Sequence, residues 1–69
     1  MELRHLRYFV TVVEEQSLTK AAEKLFIAQP PLTRQIKKLE EELGIDLFVK
    51  GSRPLKVTEA GLFFYQHAV

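Results

Sequence analysis

The sequence has no cysteine and no tryptophan, and its 69 residues include only three glycines and three prolines. Without cysteine, the chain can form neither a disulfide scaffold nor a thiolate zinc site, and thiol catalysis is excluded. Charged residues interrupt it too often for a membrane span or the apolar core of a signal peptide, so we expect a cytoplasmic protein. A chain this short forms one domain with one small core, which leaves no room for a deep enzyme cavity.

Neither sign of charge is in large excess, because the net charge is only +1. The charges nevertheless fall in blocks. Residues 17–38 hold five basic side chains against one acidic, residues 39–46 hold four acidic ones, and residues 47–57 hold three basic ones. Two basic blocks around an acidic block indicate an acidic partner that is contacted at two places. Taken alone, the same pattern also fits an ordinary solvated surface.

Apolar spacing predicts a helix that ends near Gln16 and a second, shorter helix after it. Apolar residues between positions 3 and 13 recur at steps of three and four, the period of a helix with one buried face. Ser17 occupies the N-cap position of the second helix. The adjacent Ala21 and Ala22 would let another helix approach closely.

Two prolines mark the start of a third helix. Proline is tolerated in the first turn, so this helix is predicted to begin at Pro30, with Gln29 as its cap because the residue before a proline favours extended geometry. Gly44 supplies a left-handed stop. The apolar stripe of this third helix consists of Leu32, Ile36, Leu39 and Leu43. Two helices joined by a short connection predict a helix-turn-helix.

A short hairpin and a fourth helix complete the predicted fold. Residues 47–50 and 55–57 are predicted as two strands around a turn. This hairpin is too short to fold alone, so it must lean on the helices as a wing. Thr58 is predicted to cap the fourth helix. We therefore expect a mainly α, winged helix-turn-helix domain over residues 1–57, with a three-helix core and a two-stranded wing. The start of a long linker helix is expected over residues 58–69.

The exposed face of the third helix is basic in its first half. At about 100° per residue, Pro30, Thr33, Arg34 and Lys37 lie opposite the apolar stripe. Glutamates occupy positions 40–42. The helix macrodipole favours the reverse order, by about 0.3–1 kcal/mol per charge. The order makes sense if the N-terminal end offers donors to a polyanion, so we predict nucleic-acid binding.

Duplex DNA is the predicted partner, because a helix fits the major groove and arginine is the commonest reader of guanine there. Arg34 is assigned to a base edge, and Gln29 to adenine or a phosphate. Thr33 is assigned a hydroxyl contact and Pro30 a thymine methyl. Arg53 at the wing tip is assigned to a narrow minor groove, its alternative being a solvated turn residue. Backbone contacts are assigned to Ser17, Thr19, Lys20, Lys37 and Lys38.

The fourth helix is apolar on most of its circumference, so part of it is exposed unless something binds it. It has no glycine or proline stop signal. We expect it to continue in a longer protein and to pair with a second copy. Such a dimer would place the third helix of each copy on successive major-groove faces. The alternative is a terminal helix with a solvated end. The residues assigned to self-association are Leu62, Phe63, Tyr65 and Val69.

The chain resembles the N-terminal domain of LysR-type transcriptional regulators in three successive stretches: MELRHLRYFVTVVEEQSLTKAAEKL, AQPPLTRQIKKLEEELGIDLF and LKVTEAG. Within that family it is most similar to the BenM and CatM type of aromatic-catabolism regulators, in IAQPPLTRQI and GSRPLKVTEAG. The resemblance implies homodimers or tetramers that bind promoter DNA and activate or repress catabolic genes when a small molecule binds an effector domain. RNA polymerase is a further partner that it implies. The family's base-reading positions correspond to Gln29, Pro30, Thr33 and Arg34, and its wing arginine to Arg53.

Three positions depart from the family pattern. Thr33 keeps the hydroxyl of the serine often found there. Ala28 lacks the hydroxyl of the common serine or threonine. Lys50 replaces a common arginine and cannot make the same bidentate contact.

Two other classes of function compete with DNA binding. A winged helix that binds protein would use the apolar fourth helix. The salt dependence of binding distinguishes it from a DNA-binding domain. An enzyme is not expected, because His5 and His67 lie at opposite ends of the chain and the consecutive glutamates fan around their helix. The sequence contains no glycine-rich phosphate loop and no metal-ligand spacing, so no cofactor is expected.

Overall fold

The computed structural model describes residues 2–68 and builds them from four helices. These are α1 (Leu3–Glu15), α2 (Leu18–Leu25), α3 (Gln29–Leu43) and α4 (Glu59–Ala68). α1 packs against each of the other three, and α2 also packs against α3. The predicted mainly α fold with a helix-turn-helix, formed by α2 and α3, is therefore confirmed. Over residues 2–68, none of the helices is long and apolar enough to cross a bilayer.

The first two connections turn through left-handed backbone at residues other than glycine. Gln16 ends α1 with a φ of 53° and Phe26 ends α2 with a φ of 60°. Such a conformation costs an ordinary residue roughly 1–2 kcal/mol, so the packing of the helices must offset it. Gly44 ends α3 with a φ of 70°, as predicted. Ser17 caps α2, because its Oγ accepts a hydrogen bond from the backbone N–H of Lys20 at 3.1 Å.

The third helix begins one residue earlier than the sequence predicts. Gln29 is its first residue and Ala28 is the cap, so the prediction of Gln29 as cap is wrong. The Ala28 carbonyl accepts from the backbone N–H of Leu32, at 3.5 Å. Pro30 and Pro31 therefore occupy the second and third positions, where a backbone nitrogen has no acceptor within the helix in any case.

The core is centred on Phe9 of α1, which is fully buried. Its ring lies 5.6 Å from that of Phe48, 5.3 Å from that of Phe64 and 6.5 Å from that of Tyr65, measured between centroids. The hairpin and α4 thus pack on the same side of α1. The buried apolar residues are Phe9, Val12, Ala21, Ala22, Leu32, Ile36, Leu39, Leu47 and Phe48.

The hairpin exists, but the prediction of two strands over residues 47–50 and 55–57 is wrong in extent. Within the part of the chain that the structure describes, the two arms share a single antiparallel bridge, between Phe48 and Val57. The Val49 N–H donates to the Lys56 carbonyl at 2.9 Å. The pairing ends there because other groups take the next hydrogen bonds. The Ser52 hydroxyl donates to the Val49 carbonyl at 2.7 Å and accepts from the Lys56 N–H at 2.9 Å.

The end of α1 accepts a further hydrogen bond from the hairpin. The Leu55 N–H donates to the carbonyl of Gln16, at 3.0 Å, and does not pair across the hairpin. Pro54 has no N–H to offer. The hairpin is therefore held by α1 as much as by its own ladder.

The start of α4 is fixed against the hairpin. Thr58 is the predicted cap, and its Oγ1 accepts from the Gly61 N–H at 2.9 Å and donates to the Asp46 carbonyl at 2.6 Å. Gly61 is buried against the Leu47 backbone, and a Cβ at this position would collide with the Leu47 carbonyl oxygen. Glycine at this position is what lets α4 approach the hairpin.

Candidate nucleic-acid interface

The first half of α3 exposes polar and basic side chains opposite the buried stripe formed by Leu32, Ile36 and Leu39. The helical-wheel prediction for this face is confirmed. Arg34 and Lys37 form no ion pair with any residue between 2 and 68. Their charges are therefore available to a partner. The exposed residues of this basic face are Pro30, Thr33, Arg34, Lys37 and Lys38.

The first turn of α2 is linked to the first residue of α3 by a side-chain hydrogen bond. Thr19 Oγ1 lies 3.0 Å from Gln29 Oε1, and both side chains are exposed. Lys20 is also exposed, whereas Ser17 is half-buried and uses its Oγ as the helix cap. The start of α2 and the start of α3 thus form one continuous polar surface.

A cleft of about 570 Å³ separates the start of α2 from the tip of the hairpin. Arg53 and Ser52 line it from the hairpin side, and Ser17, Thr19 and Lys20 line it from the helix side. The structure therefore brings the arginine of the hairpin together with three of the residues assigned to backbone contacts. Lys20, Arg53 and the N-terminus of α2 bring positive charge to this cleft, and the one carboxylate in its lining, that of Glu15, is paired with Lys24 at 3.3 Å.

A second groove, of about 280 Å³, runs between α3 and the hairpin. Thr33, Lys37 and Lys50 line it. Lys50, which departs from the family pattern and belongs to the second basic block, faces the same groove as the basic half of α3. The signal that identifies it is its place in the second basic block.

Glu40 has a structural role that its place among three consecutive glutamates does not reveal. Its Oε2 accepts from the backbone N–H of Leu47 at 2.7 Å and of Phe48 at 3.3 Å. Glu40 therefore fixes the first arm of the hairpin against α3. At about 100° per residue it lies some 80° from Leu32, at the edge of the buried stripe, and that angle is the signal that could have found it.

The α4 residues assigned to self-association fall into two groups. Leu62 and Phe63 are exposed, by 46% and 65%. Tyr65 is half-buried and is used within the chain, because its hydroxyl donates to Glu14 Oε2 at 3.2 Å. Desolvation raises the pKa of Tyr65, and the hydrogen bond and negative charge of Glu14 raise it further. Val69 lies outside the described residues.

Comparison with known proteins identifies close relatives. Residues 3–62 match the family model described as bacterial regulatory helix-turn-helix protein, lysR family. The chain is 74% identical over its full length to the HTH-type transcriptional regulator BenM of Acinetobacter baylyi, and covers 23% of that protein. It is 59% identical over 68 residues to CatR of Pseudomonas putida, covering 99% of this chain and 23% of that protein.

Solved structures show the same fold. The crystal structure of the BenM DBD in complex with catB site 1 DNA is 75% identical, with a TM-score of 0.97 over 99% of this chain and 73% of that one. The CbnR DBD in complex with DNA is 41% identical, with a TM-score of 0.93, over 99% of this chain and 78% of that one. The chain spans 23% of the length of BenM and 23% of the length of CatR. Because the family model covers most of its residues, this chain belongs to the lysR family of bacterial regulatory helix-turn-helix proteins, a family of regulators and not of enzymes.

Proposed function

We propose that this chain binds double-stranded promoter DNA in a sequence-specific manner, with the first half of α3 in the major groove. The observation that carries the proposal is the basic face of α3, whose Arg34 and Lys37 are exposed and unpaired while the opposite face is core. This face lies on a single α-helix, and the major groove of B-form DNA is wide enough to admit one. Support comes from one relative in two complexes, because the BenM DBD was solved with catB site 1 and with benA site 1 DNA.

The residues of the basic face have distinct roles in this proposal. Arg34 donates two hydrogen bonds to a guanine, the commonest specific contact of its kind. Gln29 and Thr33 reach base edges beside it, and Pro30 packs on a thymine methyl group. Lys37 meets a phosphate, and the exposed Lys38 beside Arg34 meets another. Base contacts set the sequence preference, while the lysines supply salt-dependent affinity.

The cleft between α2 and the hairpin is proposed to hold the DNA backbone. Ser17, Thr19 and Lys20 contact phosphates from one side, which sets the register of α3 in the groove. Arg53 extends from the other side into the adjacent minor groove, so the hairpin acts as the wing of the domain. The groove lined by Lys50 and Lys37 would receive the DNA strand that runs between the major groove bound by α3 and the minor groove entered by Arg53.

We further propose that residues 1–57 are the DNA-binding unit and that residues 58–69 begin a linker helix that pairs with a second copy. The exposed Leu62 and Phe63 support pairing through α4. A dimer would read a two-fold-symmetric site. In the full-length protein, as a dimer or tetramer, an effector domain would respond to a small molecule and control transcription of aromatic-catabolism genes by RNA polymerase.

Salt dependence of DNA binding tests this function. Fluorescence anisotropy would measure affinity for a selected duplex and for a scrambled duplex over a series of salt concentrations. Affinity should fall steeply, with a log–log slope of roughly −0.9 for each phosphate neutralised, and the selected duplex should bind more tightly throughout. A protein-binding domain would show neither result, so affinity indifferent to salt or to sequence contradicts the proposal.

A further inference from the structure

We propose that Ser52 is a positioning residue, which holds the tip of the hairpin so that Arg53 is presented to the minor groove from one backbone arrangement. The inference rests on the proposed function and deepens it, because it names the residue that prepares the arginine contact. Ser52 acts through Arg53 and not through a DNA contact of its own.

The hydroxyl of Ser52 completes the last pair of the hairpin. Val49 and Lys56 stand opposite each other, in register with the bridge between Phe48 and Val57. A hydrogen-bonded pair of this kind normally exchanges two N–H···O bonds. In one direction, the Val49 N–H donates directly to the Lys56 carbonyl at 2.9 Å. In the other, the Lys56 N–H donates to Ser52 Oγ at 2.9 Å, and the hydroxyl donates to the Val49 carbonyl at 2.7 Å. The serine therefore links both arms of the hairpin.

Arg53 lies between two attachment points. On its N-terminal side, Ser52 is bonded to both arms, and the Ser52 backbone N–H also lies 3.4 Å from the Val49 carbonyl oxygen. On its C-terminal side, the Leu55 N–H donates at 3.0 Å to the carbonyl of Gln16, the residue directly before the cap of α2. The backbone of Arg53 is therefore restrained relative to the helix whose first turn lines the same cleft.

The side chain of Arg53 depends on this backbone for its direction. Its guanidinium is exposed and forms no ion pair with any residue from 2 to 68. The region that the guanidinium can reach is therefore set by the position of the Arg53 backbone. A backbone that is ordered before binding loses less conformational entropy on association, which strengthens the contact.

The hydroxyl of Ser52 has no donor left for DNA, although the residue lines the cleft. A serine hydroxyl carries one proton, and the Val49 carbonyl accepts it. Donation to a phosphate would break the link between the two arms. The positioning role and a direct phosphate contact therefore exclude one another, so an experiment can distinguish them.

The test combines Ser52→Ala and Arg53→Ala, singly and together, with Ser52→Thr as the matched variant that keeps the hydroxyl. Fluorescence anisotropy measures affinity for the selected duplex with either an A·T tract or a G·C tract in the flank where Arg53→Ala changes the preference. The original protein should favour the A·T tract, whose narrow minor groove attracts arginine. Ser52→Ala should reduce that preference about 5-fold and have no further effect once Arg53 is alanine. The base preference set by Arg34 and the helix content by circular dichroism should not change, and Ser52→Thr should behave as the original protein does.

A measurement on the free protein gives an independent result. The backbone amide of Arg53 should give a heteronuclear NOE close to those of α3 in the original protein and a much lower value in Ser52→Ala. A tip that is already mobile in the original protein overturns the inference. A loss of affinity that is equal for both flanks, or that persists when Arg53 is alanine, also overturns it, because either result indicates a phosphate contact by Ser52. If Arg53→Ala itself leaves the flank preference unchanged, the proposed minor-groove role of Arg53 is overturned, which is a separate outcome that removes the basis of this inference.

Discussion

Glu40 and Leu47 are joined by a hydrogen bond of 2.7 Å from the Leu47 backbone N–H to the glutamate carboxylate. Leu47 is fully buried, and its N–H finds no partner across the short hairpin. One carboxylate of α3 thus supplies an acceptor to the hairpin, and the same oxygen also accepts from Phe48. The carboxylate of Glu40 therefore hydrogen-bonds α3 to the first arm of the hairpin.

Replacing Glu40 should destabilise the domain. Glu40→Ala leaves two backbone N–H groups without their acceptor, and we expect a loss of about 1.5–3 kcal/mol in the free energy of unfolding. Urea denaturation measures it. Glu41→Ala is the matched control, because Glu41 is exposed on the next position of the same helix and should change stability by no more than about 0.5 kcal/mol. Equal effects of the two substitutions would contradict an anchoring role for Glu40.

Removal of the Arg34 guanidinium should affect recognition and not folding. We expect Arg34→Ala to cost about 1–3 kcal/mol of binding free energy and to relax the preference at one base pair. Anisotropy titrations against single-base variants of the selected duplex would locate that pair. Arg4→Ala on α1 is the control, since Arg4 is exposed on another helix and should leave the preference unchanged. A uniform loss over all sequences would instead assign Arg34 to a phosphate.

Gly61→Ala should lower stability although alanine is the better helix former. In an open helix this substitution would stabilise by about 0.5–1 kcal/mol. Here the added Cβ meets the Leu47 carbonyl oxygen, which is backbone and cannot move aside easily. We expect the overpacking to outweigh helix propensity, with a net loss of about 1–2 kcal/mol. Thermal unfolding of this variant beside Gln66→Ala, an exposed α4 position, tests it, and a rise in melting temperature for Gly61→Ala would disprove close packing.

The contact between Tyr65 and Glu14 should make stability fall at alkaline pH. The pKa of Tyr65 is raised in the folded protein, so the folded state keeps its phenolic proton longer than the unfolded state does. This stability is fully present below the unfolded pKa of about 10 and is lost as pH rises through the folded value. Unfolding free energies of the protein and of Tyr65→Phe, measured from pH 7 to 11, should therefore differ by a constant amount at first and converge at high pH. A difference that does not change with pH would contradict the assignment.

Local sequence determined the helices and the basic face of α3. Helix period, the hydroxyl caps Ser17 and Thr58, and the left-handed glycine at Gly44 act over a few residues, so they can be recognised in the chain alone. The same holds for Arg34, whose exposure follows from its angle to the buried stripe. These properties depend on neighbours within one or two helical turns.

Tertiary structure alone decided how these parts meet. The hydroxyl of Thr19 and the amide of Gln29 are ten positions apart, and the hydroxyl of Tyr65 and the carboxylate of Glu14 are 51 positions apart. Most of the hydrogen bonds predicted between the two arms of the hairpin are also absent from the described residues, because the Ser52 hydroxyl and the Gln16 carbonyl at the end of α1 bond to those backbone groups. Such contacts depend on the distance and angle between packed elements, which no local pattern of residues encodes. The sequence therefore predicts which face of the domain is basic, whereas packing determines which atoms that face presents.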